Sequence, residues 1–167
     1  GYLSWHWQFQ DQVPAFSAIY GGTIQLFGRA YRGGTTRDLA LRMKAGQQLV
    51  FGEQIGWITP DILESTNGMP FLKRMANLRW KLSPYFHQGR MERPPILQGE
   101  VPNVTADWQW SGEWPVTIAA IQTGAWRIPH ENRLALVFVN VDEKPHAATF
   151  DLDLIDYGLS GEHFRSE

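Results

Sequence analysis

The hydrophobic pattern of this 167-residue chain changes near residue 88, and this change limits the possible folds. Before residue 88, apolar runs of strand length alternate with helical patterns. After it, prolines recur and helical periodicity disappears, which favours short strands joined by turns. A chain of this length can bury a sizeable core as one domain or as two small ones. We therefore predict two units, residues 1–87 and 88–167.

The first unit has the pattern of a parallel α/β layer. Val13–Tyr20 is predicted to be a short buried strand, and residues 48–52 ("QLVFG") are predicted to be the next one. Between them, "TTRDLALRMKAG" predicts a helix that Thr35 caps and that ends before Gly46. Strand, helix, strand is the repeating unit of a parallel sheet covered by helices.

Two further helices are predicted before residue 88. Thr59 followed by Pro60 is a strong helix start signal. A longer helix is predicted over residues 70–86, because apolar residues and Arg79 recur there at steps of three and four. Pro84 should end or bend this helix.

The second unit is predicted to be all-β. Residues 116–128 and 133–141 have the composition of strands, and residues 147–154 ("AATFDLDL") alternate apolar and polar side chains. Antiparallel strands joined by short turns suggest a β-sandwich.

Charge and hydropathy exclude two classes of partner. With 15 basic and 17 acidic residues, a net charge of -2 provides no field that attracts nucleic acid. No apolar run is long enough to cross a bilayer, so we expect no membrane partner.

The sequence also predicts that no metal or other cofactor is required. The glycine-rich stretch "GGTIQLFGRAYRGG" lacks the Lys-Ser/Thr of a phosphate-binding loop, and the five histidines show no paired spacing. Asp151, Asp153 and Asp156 are separated by apolar residues, which departs from the pattern of a calcium loop.

Eight tryptophans are a large number for a nearly neutral chain. Several stand beside polar residues, as Trp5 and Trp7 do in "WHW". A broad ring with an N–H group suits the flat, partly wet face of a sugar ring. Most tryptophans, however, fill the seams between packed elements, and core packing is the competing interpretation.

Glu53 stands out because it directly follows the apolar run "LVFG", where a buried strand would surface. At the carboxyl end of a strand in a parallel barrel, such a residue faces the mouth that holds the chemistry. Trp57 and Tyr20 would face the same mouth and offer stacking surface. The alternative is a structural ion pair of Glu53 with an arginine, with Trp57 filling the rim. The candidate arginines are Arg29, Arg32 and Arg37.

The order of these features resembles the C-terminal part of barrel glycoside hydrolases in the broad α-galactosidase and α-amylase-like group. The resemblance rests on "VPAFSAIYGG", "LVFGEQIGW", "FLKRMANLRWKLSPYF" and "AWRIPHENRLALVFVNVDEKP", and it covers nearly the whole chain. It implies α/β followed by all-β, that is, the C-terminal portion of a (β/α)8 barrel joined to an antiparallel β-sandwich.

The resemblance further implies hydrolysis of a carbohydrate by two carboxylates. Glu53 would be one catalytic or pocket carboxylate, and Asp11 and Asp61 are candidates for the second, part of the pair being expected upstream of Gly1. Trp57, Tyr20, Trp5 and Trp7 would form aromatic walls for the sugar. Two barrel strands cannot close a barrel, so a second chain or a missing N-terminal part should cover the open sheet edge. The alternatives are a non-catalytic carbohydrate-binding domain and a structural or interaction domain.

Overall fold

The computed structural model describes residues 14–28, 31, 37–108 and 114–161 of the chain. Within these ranges the chain forms four α-helices, seven short strands and two 3₁₀ turns. The helices are α1 (Ala15–Tyr20), α2 (Asp38–Val50), α3 (Gly68–Lys81) and α4 (Ser83–Gln88), and the 3₁₀ turns are Pro60–Glu64 and Pro129–Glu131. The strands are β1 (Phe27–Gly28), β2 (Gln54–Ile55), β3 (Arg90–Glu92), β4 (Asn103–Asp107), β5 (Pro115–Ala119), β6 (Ile121–Ile128) and β7 (Arg133–Asn140).

Helix α2 is the central element, and it corrects the prediction of a strand over residues 48–52. The helix continues to Val50, and every residue from Ala40 to Val50 is buried. Leu49, Val50 and Phe51 at the end of the helix follow one another directly and are all buried, and such a short apolar run cannot be told from a buried strand by its pattern. Two charged residues on α2 are satisfied by main-chain oxygens. Arg42 Nε donates to Val141 O at 2.9 Å, and Lys44 Nζ donates to Trp108 O at 2.7 Å.

The prediction of a strand over Val13–Tyr20 is also wrong, because Ala15–Tyr20 is helix α1, while Val13 lies outside the described residues. The parallel strands are instead β1 and β2, each two residues long, with Phe27 opposite Gln54. Two parallel strands of this length are not part of a barrel, and the remaining strands form antiparallel sheets, so the prediction of a barrel portion is wrong. The chain is a small domain of four helices and a few strands.

The strands after residue 88 form two small antiparallel sheets, and the predicted β-sandwich is wrong as well. One sheet has the order β3-β6-β7 and the other pairs β4 with β5. The run 116–128 is not one strand, because it breaks at Ala120 and its two parts join different sheets. Helix α2 packs against β6 and β7, so a helix covers the three-stranded sheet where a sandwich would place a second sheet.

Residues 147–154 were predicted to be a strand, and they contribute only an isolated bridge between Thr149 and Gln98. Phe150 of this stretch packs against β7, whereas Leu152 is 40% exposed. The rings of Phe150 and Phe138 stack with centroids 5.0 Å apart. Alternating polarity therefore predicted a strand that does not form, and it did not indicate the exposure of Leu152.

The predicted helix boundaries near residues 60 and 84 are confirmed. The first 3₁₀ turn begins at Pro60 with Thr59 at its N-cap position, although the Thr59 side chain accepts no capping hydrogen bond from the backbone of the turn. Helix α3 ends at Lys81, and α4 starts afresh with Pro84 in its first turn. Proline at this position is tolerated because its missing N–H would have had no partner.

A single hydrophobic core extends through the described part of the chain. It contains residues from before residue 88, such as Met43 and Phe86, and residues from after it, such as Trp126 and Val139. No helix in the described ranges has the length and apolar character that a bilayer crossing demands.

Candidate functional site

Glu53 lies in the turn between α2 and β2, and its side chain is only 6% exposed. The turn depends on Gly52, whose φ of +69° is accessible to glycine at little cost. The backbone N–H of Glu53 donates to Gln48 O at 2.9 Å, which holds the turn against the end of α2. Burying an acidic group is costly without compensating contacts. The polar and charged groups around Glu53 therefore determine whether its carboxylate is stabilised.

Gln48, which is 1% exposed, ties the end of α2 to β2 and to Tyr31. Its side-chain N–H donates to Gln54 O at 3.0 Å, and its side-chain oxygen accepts a hydrogen bond from the Tyr31 hydroxyl. A buried amide with partners on both atoms rigidifies the segment that carries it. The backbone on both sides of Glu53 is thus fixed.

Arg79 of α3 supplies a positive charge beside Glu53. One guanidinium N–H donates to Gly52 O at 2.8 Å, and the guanidinium lies 5.1 Å from the centre of the Phe86 ring. Burial lowers the pKa of Arg79, and the nearby Glu53 charge opposes that effect. This arginine lies outside the set that we considered from the sequence. The sequence did indicate that Arg79 has a partner, because a guanidinium on the apolar stripe of a helix requires one.

A cleft of about 260 Å³ opens beside Gly52 and Arg79. It lies where α1, the turn after it, α3, α4 and the three-stranded sheet meet. Its described lining residues are Ser17, Gly21, Gly22, Thr23, Ile24, Gln25, Leu26, Phe51, Gly52, Arg79, Phe86, His87 and Trp126. Hydroxyl, amide and guanidinium groups therefore face a space backed by aromatic rings. Such a set can bind a small polar ligand.

The structure does not bring all predicted site residues to this cleft. Glu53, Tyr20 and Trp57 are not among its described lining residues, although Glu53 is next to Gly52. Trp57 is 50% exposed and meets the Phe27 ring edge-on at 6.4 Å. Tyr20 is 44% exposed at the end of α1. The predicted residues Trp5, Trp7, Asp11, Arg29 and Arg32 lie outside the described part of the chain.

The candidate second carboxylate that the structure describes is Asp61. It lies in the exposed 3₁₀ turn and accepts a hydrogen bond from the Thr59 hydroxyl. Across residues 14–28, 31, 37–108 and 114–161, no group of three or more acidic or histidine side chains is arranged to hold a metal ion.

The tryptophans divide between the two interpretations given above. Trp126 and Trp108 are 1% and 5% exposed and belong to the core. The indole N–H of Trp126 donates to Val50 O at 3.0 Å. Trp57 and Trp80 are exposed, at 50% and 80%. Their faces are therefore accessible to a ligand or to another surface.

The chain is similar along most of its length to two curated proteins. One, from Bacteroides thetaiotaomicron, has the name "Putative glycoside hydrolase" and is 24% identical over an alignment of 147 residues that covers 86% of this chain and 21% of that protein. The other, from Monosiga brevicollis, has the name "Putative glycoside hydrolase 22789" and is 27% identical over a gapped alignment of 183 positions that covers 92% of this chain and 15% of that protein. The similarity relates this chain to glycoside hydrolases.

The chain spans about a fifth or less of the length of these relatives. Neither name specifies an α-galactosidase-like or α-amylase-like group. No protein-family model matches the chain, and no solved structure matches it significantly.

Proposed function

We propose that this chain is part of a glycoside hydrolase and that Glu53 acts on a carbohydrate substrate. The observation that carries this proposal is the similarity of most of the chain to two proteins from different organisms whose names both include "Putative glycoside hydrolase". Hydrolysis of a glycosidic bond generally requires two carboxylates. Glu53 would supply one of them, and the other would come from another part of the protein.

The surroundings of Glu53 support a functional role for its carboxylate. The side chain is held in a glycine turn, beside the Arg79 guanidinium and between backbone segments that Gln48 fixes. A carboxylate so positioned can accept hydrogen bonds from sugar hydroxyls or assist bond cleavage without reorganising. Trp57, with its face half exposed after β2, would stack against the sugar, and Tyr20 would add a second aromatic surface.

The test is Glu53→Gln in the full-length protein, assayed with a panel of nitrophenyl glycosides. We expect kcat/KM to fall roughly 10- to 100-fold, which corresponds to the loss of one charge-assisted hydrogen bond to the substrate. Glu64→Gln, a change of an exposed glutamate in the first 3₁₀ turn, is the matched control and should leave the rate unchanged. A Glu53→Gln protein that is less stable but fully active would show that the residue is structural.

A non-catalytic carbohydrate-binding domain is the second candidate, and the half-exposed ring of Trp57 favours it. In that case sugar affinity would survive Glu53→Gln and would be lost in Trp57→Ala.

An interaction domain is the third candidate, because Phe27, Trp57 and Ile58 are each about half exposed beside the β1-β2 pair. Parallel strands are usually covered on both faces, so further polypeptide or a second chain would pack there. Light scattering that shows a tight oligomer without sugar binding would favour this third candidate.

A further inference from the structure

The cleft beside Arg79 has a rigid apolar floor. The rings of Trp126 and Phe86 meet edge-on with centroids 5.0 Å apart, and both residues are buried. The hydrogen bond from the Trp126 indole to Val50 O fixes the larger ring. A floor of this kind keeps its shape when the cleft is empty, so a ligand would bind without the cost of ordering it.

The rim of the cleft carries polar groups that are available to a ligand. Thr23 and Gln25 are exposed, and within the described residues neither the Thr23 hydroxyl nor the Gln25 amide has a hydrogen-bond partner. The glycines of the rim bring backbone close to the cleft, and a Cβ at Gly22 would stand 3.0 Å from His87 O. Hydroxyl, amide and peptide groups around the cleft match a small ligand that carries several hydroxyls.

The charge and size of the cleft narrow the ligand class. Arg79 is the one residue with a permanent charge among the described lining residues, and the nearby Glu53 charge together with Gly52 O already compensates it. The balanced charge favours a neutral ligand over an anion. A volume of about 260 Å³ lies just below the roughly 300–1,000 Å³ of pockets for drug-sized ligands, which suits a single ring.

We propose that this cleft binds one neutral sugar ring, with Thr23 and Gln25 as its hydrogen-bonding residues. The inference rests on the proposed function, because that function makes carbohydrate the first ligand class to consider. The cleft is separate from Trp57, so it would be a second contact surface for a carbohydrate that Glu53 and Trp57 also contact.

The test is an NMR titration of the ¹⁵N-labelled full chain with glucose, galactose, mannose and xylose, and separately with inorganic phosphate. We expect at least one sugar to shift the amide resonances of Gly21, Gly22 and Gly52 in a saturable way, with phosphate giving no such shift. Thr23→Val should raise the Kd for that sugar roughly threefold to tenfold, since it removes one hydrogen bond and keeps the shape. Thr66→Val, at an exposed threonine in the turn before α3, is the control and should bind as the wild type does.

Three results would overturn the proposal. These are shifts by phosphate in place of sugars, no response to any of the four sugars, and equal affinity in the Thr23→Val and wild-type chains. Different results would contradict the proposed hydrolase function without contradicting sugar binding in the cleft. If the glycine amides respond to a sugar while the full-length protein cleaves no glycoside, the cleft assignment stands and the hydrolase assignment falls. If the full-length protein cleaves a glycoside while these glycine amides respond to no sugar, the hydrolase assignment stands and the cleft assignment falls.

Discussion

Asp142 and His146 form a hydrogen-bonded pair just after β7, in which His146 Nε2 lies 2.7 Å from Asp142 Oδ2. The two side chains are mostly buried, with 22% of Asp142 and 17% of His146 exposed. The hydrogen bond with His146 lowers the pKa of Asp142 below its ordinary value of 3.8, and burial opposes that effect. A second bond, from the Glu143 N–H, acts in the same direction as His146.

This pair predicts an acid-dependent loss of stability. A carboxyl group whose pKa is lower in the folded state stabilises the fold above its unfolded pKa, and that contribution disappears as the pH falls through the folded pKa. The wild-type chain should therefore lose more free energy of unfolding between about pH 5 and pH 2.5 than His146→Gln does. Urea unfolding at a series of pH values measures both. If the free energy of unfolding falls equally with pH in the two proteins, the contact between Asp142 and His146 does not stabilise the fold in this way.

Arg79 illustrates what sequence patterns can and cannot reveal about a single residue. Its position on the apolar face of the helix over residues 70–86 was visible, and a partly buried guanidinium needs acceptors. Which acceptors it finds was not visible, because Gly52 and Glu53 lie more than 20 positions earlier in the chain. Only the packing of α3 against α2 brings them together.

At the level of elements, Gly46 tests how α2 packs. The sequence predicted that this glycine follows the end of a helix, but it lies inside α2 facing β7. A Cβ built there would stand 2.6 Å from a methyl carbon of Val141 and 3.1 Å from one of Val139. Both valines are buried, and a short branched side chain cannot move its methyl groups far without changing rotamer.

We therefore predict that Gly46→Ala destabilises the chain, although alanine is intrinsically better in a helix by about 1 kcal/mol. Overpacking of a closed core costs roughly 1–3 kcal/mol, which should outweigh that gain. Chemical denaturation of Gly46→Ala and of the double variant Gly46→Ala/Val141→Ala measures the effect. Val141→Ala alone should destabilise by creating a cavity, and adding Gly46→Ala to it should cost far less than in the wild type. A stabilised single variant would show that α2 does not lie against β7 as closely as the structure has it.

At the level of the whole molecule, one core joins the sequence on both sides of residue 88. Arg42 of α2 reaches Val141 O, and Lys44 reaches Trp108 O, so polar contacts cross the same boundary as the apolar ones. Elements that share a core unfold together when neither part buries enough apolar surface alone.

The shared core predicts a single cooperative unfolding transition for the whole chain. Differential scanning calorimetry should give a van't Hoff enthalpy equal to the calorimetric enthalpy. Val139→Ala, placed after residue 88 in the core, should lower the melting temperature of that one transition. Two transitions, of which only one moves in Val139→Ala, would support the division into residues 1–87 and 88–167 as independent units.

The sequence by itself determined the local features of this protein. It located the helix over residues 70–86 with its break near Pro84, a helical start at Pro60, and the strand over residues 133–141. Each of these depends on side chains within a few positions of one another, through backbone geometry or a regular apolar period.

Only the tertiary structure decided the rest. The end of α2 and the residue after it form a short buried apolar run over residues 49–51, and the pattern could not distinguish a helix from a strand there. The break at Ala120, the pairing of β6 with β3 and β7, and the placement of Arg79 beside Glu53 depend on contacts between distant segments. Such contacts leave no local periodicity in the sequence, because their partners are set by how the elements pack.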